Sequence, residues 1–455
     1  MSNDTTEQGV LFRGLAKRPV TVRFDQEHSS SDGGSLLLKA CDERLGLSAA
    51  LAGCLRETRQ VGKIQHGLQE LIRQRLFAIA CGHVDANDAA ALGHDPIHKL
   101  LIDRDPLSGR ALASQPTLSR FENAARARDL LRMGEALAES VIQRHGSRRR
   151  RVRRITLDFD PTHDLAHGGQ QLTLFNATYD GRCYLPLTGF VSFDEEPEQY
   201  LIAYVLRAGN APAKQGLLGV LDRLLPHLRA AFPKARLRIR LDAGFAGAQL
   251  YDYFEAQGLE YVVCIARNSV LQARAQPLLE ALHQALAAGE PPQAAFGECV
   301  YRARSWSRAR RVIIKADIAL HPGRKPKDNP RFVVTNLSGS ADWIYREIYC
   351  ARGDVENRIK ELKAGLQIDR TSCTSFRANQ FRALITAAAY VLMQELRGQA
   401  RHTSCARAQV STLRLLKLGA WVERSVRRIV VHLPLHSPHA QAWRQIARSV
   451  GAIPT

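Results

Sequence analysis

Three places in the sequence present acidic side chains where chemistry can use them. Asp158 and Asp160 lie two residues apart in Arg153 to Asp160, an alternating stretch read as a β-strand that breaks at Pro161. At that spacing both carboxylates face one side of a sheet, and an acid is presented at the strand's end. Asp242 follows the alternating run Leu237-Arg-Ile-Arg-Leu241 and precedes Ala243-Gly-Phe245. It too is expected at the carboxyl end of a strand, where open sheets bind ligands. Two strand-end aspartates can share a divalent cation, because hard cations such as Mg2+ take oxygen ligands.

The third place is the run Tyr349-Cys-Ala-Arg352-Gly-Asp-Val-Glu356-Asn-Arg-Ile-Lys-Glu-Leu-Lys363. In a helix begun at Tyr349, Arg352, Glu356 and Lys363 project at about −60°, −20° and −40° from it, so all four share one stripe. Gly353 leaves the first turn open. A carboxylate between cations on its own face suits phosphate chemistry, with Glu356 on a divalent ion and Arg352 and Lys363 on a phosphodiester backbone. The plain alternative is a solvated helix carrying ordinary Glu–Lys pairs, and the two aspartates weaken it.

These groups need a sheet and a late helix to hold them. From Gly34 to about Gln143 the pattern is helical, over Leu36 to Leu47, Ile64 to Cys81 and Thr117 to His145, with Ser119 the expected N-cap of the last. Strand periodicity takes over in Arg153 to Asp160, Gln171 to Thr178, Cys183 to Phe193 and Gln199 to Arg207. A helix over Lys214 to Ala231, a strand over Leu237 to Leu241, a helix over Gly247 to Gln257 and a strand over Glu260 to Ala266 complete an α/β sheet of mixed direction. Strand signals at Cys299 to Trp306, Arg311 to Leu320 and Arg331 to Asn336 read as a β-rich insertion ahead of the helices Asp354 to Leu366 and Ala378 to Leu396. A strand over Arg427 to Leu433 and a helix around Trp443 follow. The expected division is an all-helical N-terminal domain (1–147), an arginine-rich junction (148–154), the first part of an α/β core (155–267), a mainly β insertion (268–340), the final core helices (341–400) and a basic C-terminal segment (401–455).

A formal net charge of +20 over 455 residues calls for a polyanionic partner, nucleic acid before a membrane surface. Arg148, Arg149, Arg150 and Arg151 open a run of six arginines in seven residues that ends at Arg154; it is too charged to bury and would touch phosphates if DNA passes. No run approaches the roughly 20 apolar residues of a membrane span, and Met1 to Gly9 is polar and acidic, so a cytoplasmic location without export is expected. The nine cysteines contain no C-x-x-C pair, which argues against a zinc knuckle or a disulfide framework. His163, His167, His432, His436 and His439 lack a firm ligand pattern and read as surface histidines.

The spacing Tyr-x2-Arg-x3-Glu-x6-Lys at Tyr349, Arg352, Glu356 and Lys363 resembles, at all four positions, the signature of the DDE transposases of bacterial insertion sequences. Ser31-Asp-Gly-Gly34, Leu112-Ala-Ser-Gln-Pro-Thr-Leu-Ser-Arg-Phe-Glu-Asn123, Leu157-Asp-Phe-Asp-Pro-Thr162, Arg207-Ala-Gly-Asn210, Asp242-Ala-Gly-Phe245 and Phe332-Val-Val-Thr-Asn-Leu337 are similar to the group 1 branch of that family. The likeness covers residues 20 to 400 or so. It implies a ribonuclease H-like core with the first aspartate on the first strand, the second after the fourth, and the glutamate on a late helix beyond a β insertion. Asp160-Pro161-Thr162 matches the family's first acid, which favours Asp160 over Asp158. Asp158 then becomes a supporting carboxylate, and Asp164 an outside candidate.

The resemblance further implies that Asp160, Asp242 and Glu356 hold two Mg2+ ions, for which Mn2+ can substitute. Hydrolysis would free a 3′-hydroxyl at the element's end, and that hydroxyl would then attack a target phosphodiester. Tyr349, Arg352 and Lys363 would bind DNA. Related enzymes pass through a hairpin intermediate beside a flipped base, for which Trp306 and Trp343 are the stacking candidates. The implied partners are the element's terminal inverted repeats, bound by the N-terminal helices, and target DNA, engaged by a homodimer associated with the nucleoid. Two rival readings use the same residues: a non-catalytic repressor derived from a transposase, and a metal-dependent nuclease that never joins strands.

Overall fold

A computed structural model of the chain describes residues 9–147, 151–291, 293–323, 325–405 and 412–453. Its helical first third comprises α1 (Leu36–Leu45), α2 (Leu47–Cys54), α3 (Leu68–Ala80), α4 (Ala86–Ala91), α5 (Pro96–Leu101), α6 (Gln115–Ala124) and α7 (Ala127–Gly146). The single helix expected over Leu36 to Leu47 stops early, because Gly46 enters the left-handed region at φ 65° and ends one helix while opening the next. Thr117 to His145 is also two helices. Ser119 lies inside α6 rather than capping it; that helix starts after Ser114 with proline in its first turn. A new start for α7 follows from Asp129, whose carboxylate accepts from the Arg126 backbone N–H at 3.1 Å and from the Arg126 guanidinium at 3.0 Å.

One eight-stranded sheet forms the centre: β1 (Arg154–Pro161), β2 (Leu187–Phe193), β3 (Tyr200–Val205), β4 (Arg236–Leu241), β5 (Glu260–Ile265), β6 (Ala295–Tyr301), β7 (Arg310–Ala316) and β8 (Arg331–Thr335). The spatial order is β6-β7-β8-β5-β4-β1-β2-β3. Strands β1, β4 and β5 run parallel, and every other neighbouring pair is antiparallel. Parallel neighbours require crossovers, supplied by α8 (Leu217–Ala231) before β4 and α9 (Ala248–Ala256) before β5. The strands expected as an insertion thus extend the same sheet beyond β5. The stretch 268–340 also opens with a 19-residue helix, α10 (Ser269–Ala287), that strand periodicity did not lead us to expect. The expected strand Gln171 to Thr178 shrinks to Leu174–Asn176, paired in a separate three-stranded sheet with Gly181–Tyr184.

Two helices complete this arrangement, α11 (Asp354–Leu366) and α12 (Phe376–Gln399). α12 is buried without interruption from Ala378 to Arg397. Its run of alanines lets neighbours approach closely, and it packs on α1, α3, α6, α7 and β3. One hydrophobic core therefore runs from Leu37 through the sheet to Ala447. Edge strand β3 is closed by glutamines of α12. Gln380 accepts from the Leu206 N–H at 2.6 Å and donates to Tyr204 O at 3.2 Å, and Gln394 accepts from the Leu201 N–H at 3.0 Å and donates to Gln199 O at 2.7 Å. Side-chain amides stand in for a ninth strand. A short sheet of Ser29–Ser30, Ala420–Arg424 and Ile429–His432 joins the two ends of the described chain, followed by α13 (Ala440–Ser449). The fold is mixed α/β, and among the described residues no helix is long and apolar enough to cross a membrane.

Candidate active site

Parallel pairing of β1 with β4 sets Asp158 opposite Arg240. Asp160 stands two residues further along β1 and Asp242 two residues beyond Arg240, so the register itself carries both acids to one end of the sheet. Asp158 is consumed inside: it accepts two hydrogen bonds from Arg240 at 2.6 and 2.7 Å and one from Gln199 at 3.1 Å, all between buried groups. Asp160 and Asp242 instead meet a single guanidinium. Arg352 Nη2 donates to Asp160 Oδ1 at 2.9 Å and lies 3.6 Å from Asp242 Oδ2, while the Gly244 N–H donates to Asp242 Oδ1 at 2.9 Å. Burial pushes the Asp160 carboxyl up to about 6; Arg352 pulls it back, and the charges of Asp242 and Glu356 add to the rise.

Arg352 reaches this position through a change of helical pitch. The chain winds as an α-turn at Ala341–Trp343, a π-helix at Ile344–Tyr349 and a 3-10 helix at Cys350–Gly353 before α11 begins. A regular α-helix from Tyr349 is therefore not what forms. Arg352 lies in the tighter 3-10 turn, three residues after Tyr349 closes the π-helix. Arg240 Nη1 donates to Ile348 O at 3.0 Å, at the point where the pitch changes. Ile344 and Ile348 anchor the segment on Val262, Ile313 and Val333 of the sheet. Further on, α11 is pinned by Glu361, which accepts from Tyr390 at 2.6 Å and from Arg397 at 3.1 Å. Glu356, on this helix, is exposed, and its charge reaches Asp160.

Tyr349 and Lys363 make contacts of their own. Burial and the adjacent Cys264 thiol push the Tyr349 hydroxyl well above its ordinary range, and its ring lies 5.5 Å from that of Tyr345. Lys363 donates to the carbonyl of His163 and lies 3.7 Å from Asp369. Asp164, beneath it, is fully buried with both oxygens accepting from the Thr371 hydroxyl at 3.0 and 3.1 Å. Burial raises its carboxyl to about 8, with Thr371 and Lys363 lowering it and Asp369 raising it. Asp369 had no sequence signal: the chain turns back at Gln367, in the left-handed region at φ 50°, and only that turn brings it to Lys363.

Of the other expected residues, Arg151 is exposed, and Arg148, Arg149 and Arg150 lie outside the described residues. Trp306 is not available for stacking on a base. It is 5 % exposed and packed edge-on against Tyr251 and Tyr301. Trp343 is 39 % exposed. His163 stacks on Tyr179 at 4.3 Å rather than standing free at the surface.

The arrangement is thus a pair of aspartates at adjacent strand ends, countered by one arginine and within reach of the Glu356 charge, a set of carboxylate oxygens of the kind that can hold a divalent cation. No curated protein matches the chain. The family model for the transposase DDE domain, group 1, matches residues 12–455. With the match spanning all of the sheet and every residue of this cluster, the chain belongs to the group 1 family of transposase DDE domains.

Proposed function

We propose that this transposase-family chain cleaves DNA phosphodiesters at the ends of a bacterial insertion sequence and joins the freed 3′ ends to target DNA, with Asp160, Asp242 and Glu356 as its catalytic acids. The observation that carries this reading is the register of β1 and β4, which delivers two aspartates to one point beneath Arg352 and within reach of the Glu356 charge. The order β3-β2-β1-β4-β5, with β1, β4 and β5 parallel, supports a ribonuclease H-like core.

The donors suit Mg2+ or Mn2+, being carboxylate oxygens alone, and the raised Asp160 carboxyl marks a concentration of negative charge that a cation relieves. Two such ions held by Asp160, Asp242 and Glu356 would supply Lewis-acid activation of an attacking oxygen and stabilisation of a leaving one. Arg352, whose Nε is buried without a partner among the described residues, would turn from Asp160 to a phosphate oxygen. Lys363 would bind the backbone on the far side, and Tyr349 would orient Arg352. On this reading residues 1–147 bind the terminal inverted repeats, the junction at 148–154 adds backbone contacts, and two copies act together on DNA.

The test incubates the purified protein with Mg2+, a donor DNA carrying candidate end repeats and a second plasmid. Wild type is expected to nick the repeat ends and join them to the plasmid, whereas Asp160→Asn, Asp242→Asn and Glu356→Gln bind but do not cleave. Cleavage by Glu356→Gln at the wild-type rate sinks the proposed site. Cleavage without joining assigns a nuclease, and binding without cleavage by wild type assigns a repressor.

A further inference from the structure

Ser31-Asp-Gly-Gly34 takes no part in the cluster above, yet it sits at the convergence of four distant segments. Asp32 is fully buried. His83 Nε2, from the turn after α3, and His98 Nε2, from α5, lie 2.9 and 2.8 Å from the same oxygen, Asp32 Oδ2. Lys417 Nζ lies 2.7 Å from Asp32 Oδ1 and 3.1 Å from His83 Nε2. The three ligand-type atoms fall within 4.8 Å of one another.

His83 cannot satisfy both of its neighbours. Toward the carboxylate its Nε2 needs a proton, and toward the ammonium it needs a lone pair. A bound cation removes the conflict, since it draws lone pairs from both imidazoles and the carboxylate together. We propose that Asp32, His83 and His98 form a site for one transition-metal ion of the Zn2+ class, with Lys417 as the exchangeable group that neutralises Asp32 when no ion is bound. Two imidazole nitrogens and one carboxylate oxygen are a donor set that Zn2+ takes, with a fourth position left for water. His83 and Lys417 are the partly exposed members, so the ion enters and the ammonium leaves on that side. The ion would cross-link Asp32 to α3 and α5 beneath the C-terminal segment.

The experiment uses the full chain carrying Asp242→Asn and Glu356→Gln, so that the oxygen-rich cluster contributes no binding. After chelation, Co2+ is titrated while visible absorption is followed, and bound Zn2+ is counted by elemental analysis. One ion per chain is expected, with the absorption of a low-coordinate nitrogen-containing site. His83→Gln should weaken binding by about tenfold or more. Lys417→Met, which removes the competing cation, should tighten it. Should neither the parent nor Lys417→Met bind Co2+ or Zn2+ at micromolar concentration, the four side chains are an ion-pair cluster only and the proposal falls. Binding that is unchanged by both His83→Gln and Lys417→Met equally overturns it by placing the ion elsewhere.

Discussion

Asp158 and Asp160 share a strand face and differ in what surrounds them, and that difference predicts opposite consequences for the same chemical change. Asp158→Asn leaves Arg240 buried without its counter-charge, which is expected to cost about 3–5 kcal/mol of stability. Asp160→Asn removes a carboxylate whose burial and acidic neighbours already raise it, so stability should hold or rise while cleavage is lost. Urea denaturation of both variants checks this, and equal stability losses would contradict it. Asp164 gives a pH-dependent counterpart. Its folded value of about 8 lies above the ordinary 3.8, so the native state binds the extra proton between those limits. Stability contributed by that proton is present at low pH and is lost as pH rises through the window toward 8. Asp164→Asn should therefore match wild type near pH 4 and exceed it by a few kcal/mol at pH 8.5, at about 1.36 kcal/mol per pKa unit. Parallel stability curves for the two proteins would show that Asp164 is ionised in the native state throughout. The acids themselves were legible because strand alternation and Pro161 mark a strand end. The choice between Asp158 and Asp160 rested on resemblance, since only the pairing register shows that Arg240 claims Asp158.

At the scale of elements, periodicity located most strands and helices and failed where a local conformation overrode it. Gly46 ends the first helix early and opens one that apolar spacing did not show, and the Arg126–Asp129 box splits a helix that spacing reads as continuous. The helix from Tyr349 was legible as amphipathic, but its π and 3-10 turns were not, because pitch is set by the anchors Ile344 and Ile348 and by the Arg240 bond to Ile348 O. The strands of 295–335 were recognised, whereas their membership of the main sheet depends on the long-range pairing of β8 with β5. α12 shows the reverse case, a helix legible from its pattern whose glutamines act as sheet partners without any sequence signal of that role. Replacing Gln380 and Gln394 by leucine should expose the backbone groups of β3, at a cost of about 1–3 kcal/mol for each glutamine. The double variant is expected to lose stability by denaturation and to self-associate by light scattering as its open edge pairs with other copies. A monomer of wild-type stability would mean that the edge is closed by something else.

For the whole molecule, the net charge of +20 was legible at once, and it is distributed over a fold whose N-terminal helices, sheet and C-terminal segment share one core. That sharing was the least legible feature, because it depends on contacts between residues nearly 400 positions apart. It also gives Gly33 and Gly34 their reason. Gly33 N–H donates to Leu418 O at 2.9 Å, and a Cβ at Gly34 would fall 1.6 Å from Leu415 O. Backbone cannot yield by that much, and Gly34 has no left-handed strain to relieve, so Gly34→Ala must displace the segment from Leu415 onward. The pairing of Ser29–Ser30 with Ala420–Trp421 would go with it, while the sheet and its acidic cluster, held by α12, should stay folded. Limited trypsin digestion is the measurement, since the segment is rich in arginine and its release exposes those sites. Gly34→Ala should be cut between residues 401 and 455 at least about tenfold faster than wild type, as expected when a locally stable segment opens by 1.4 kcal/mol or more. The Asp160 region should remain resistant. An unchanged cleavage rate in a folded Gly34→Ala protein would mean that the C-terminal segment does not seat on this turn, and the four-segment convergence at Asp32 would lose its frame.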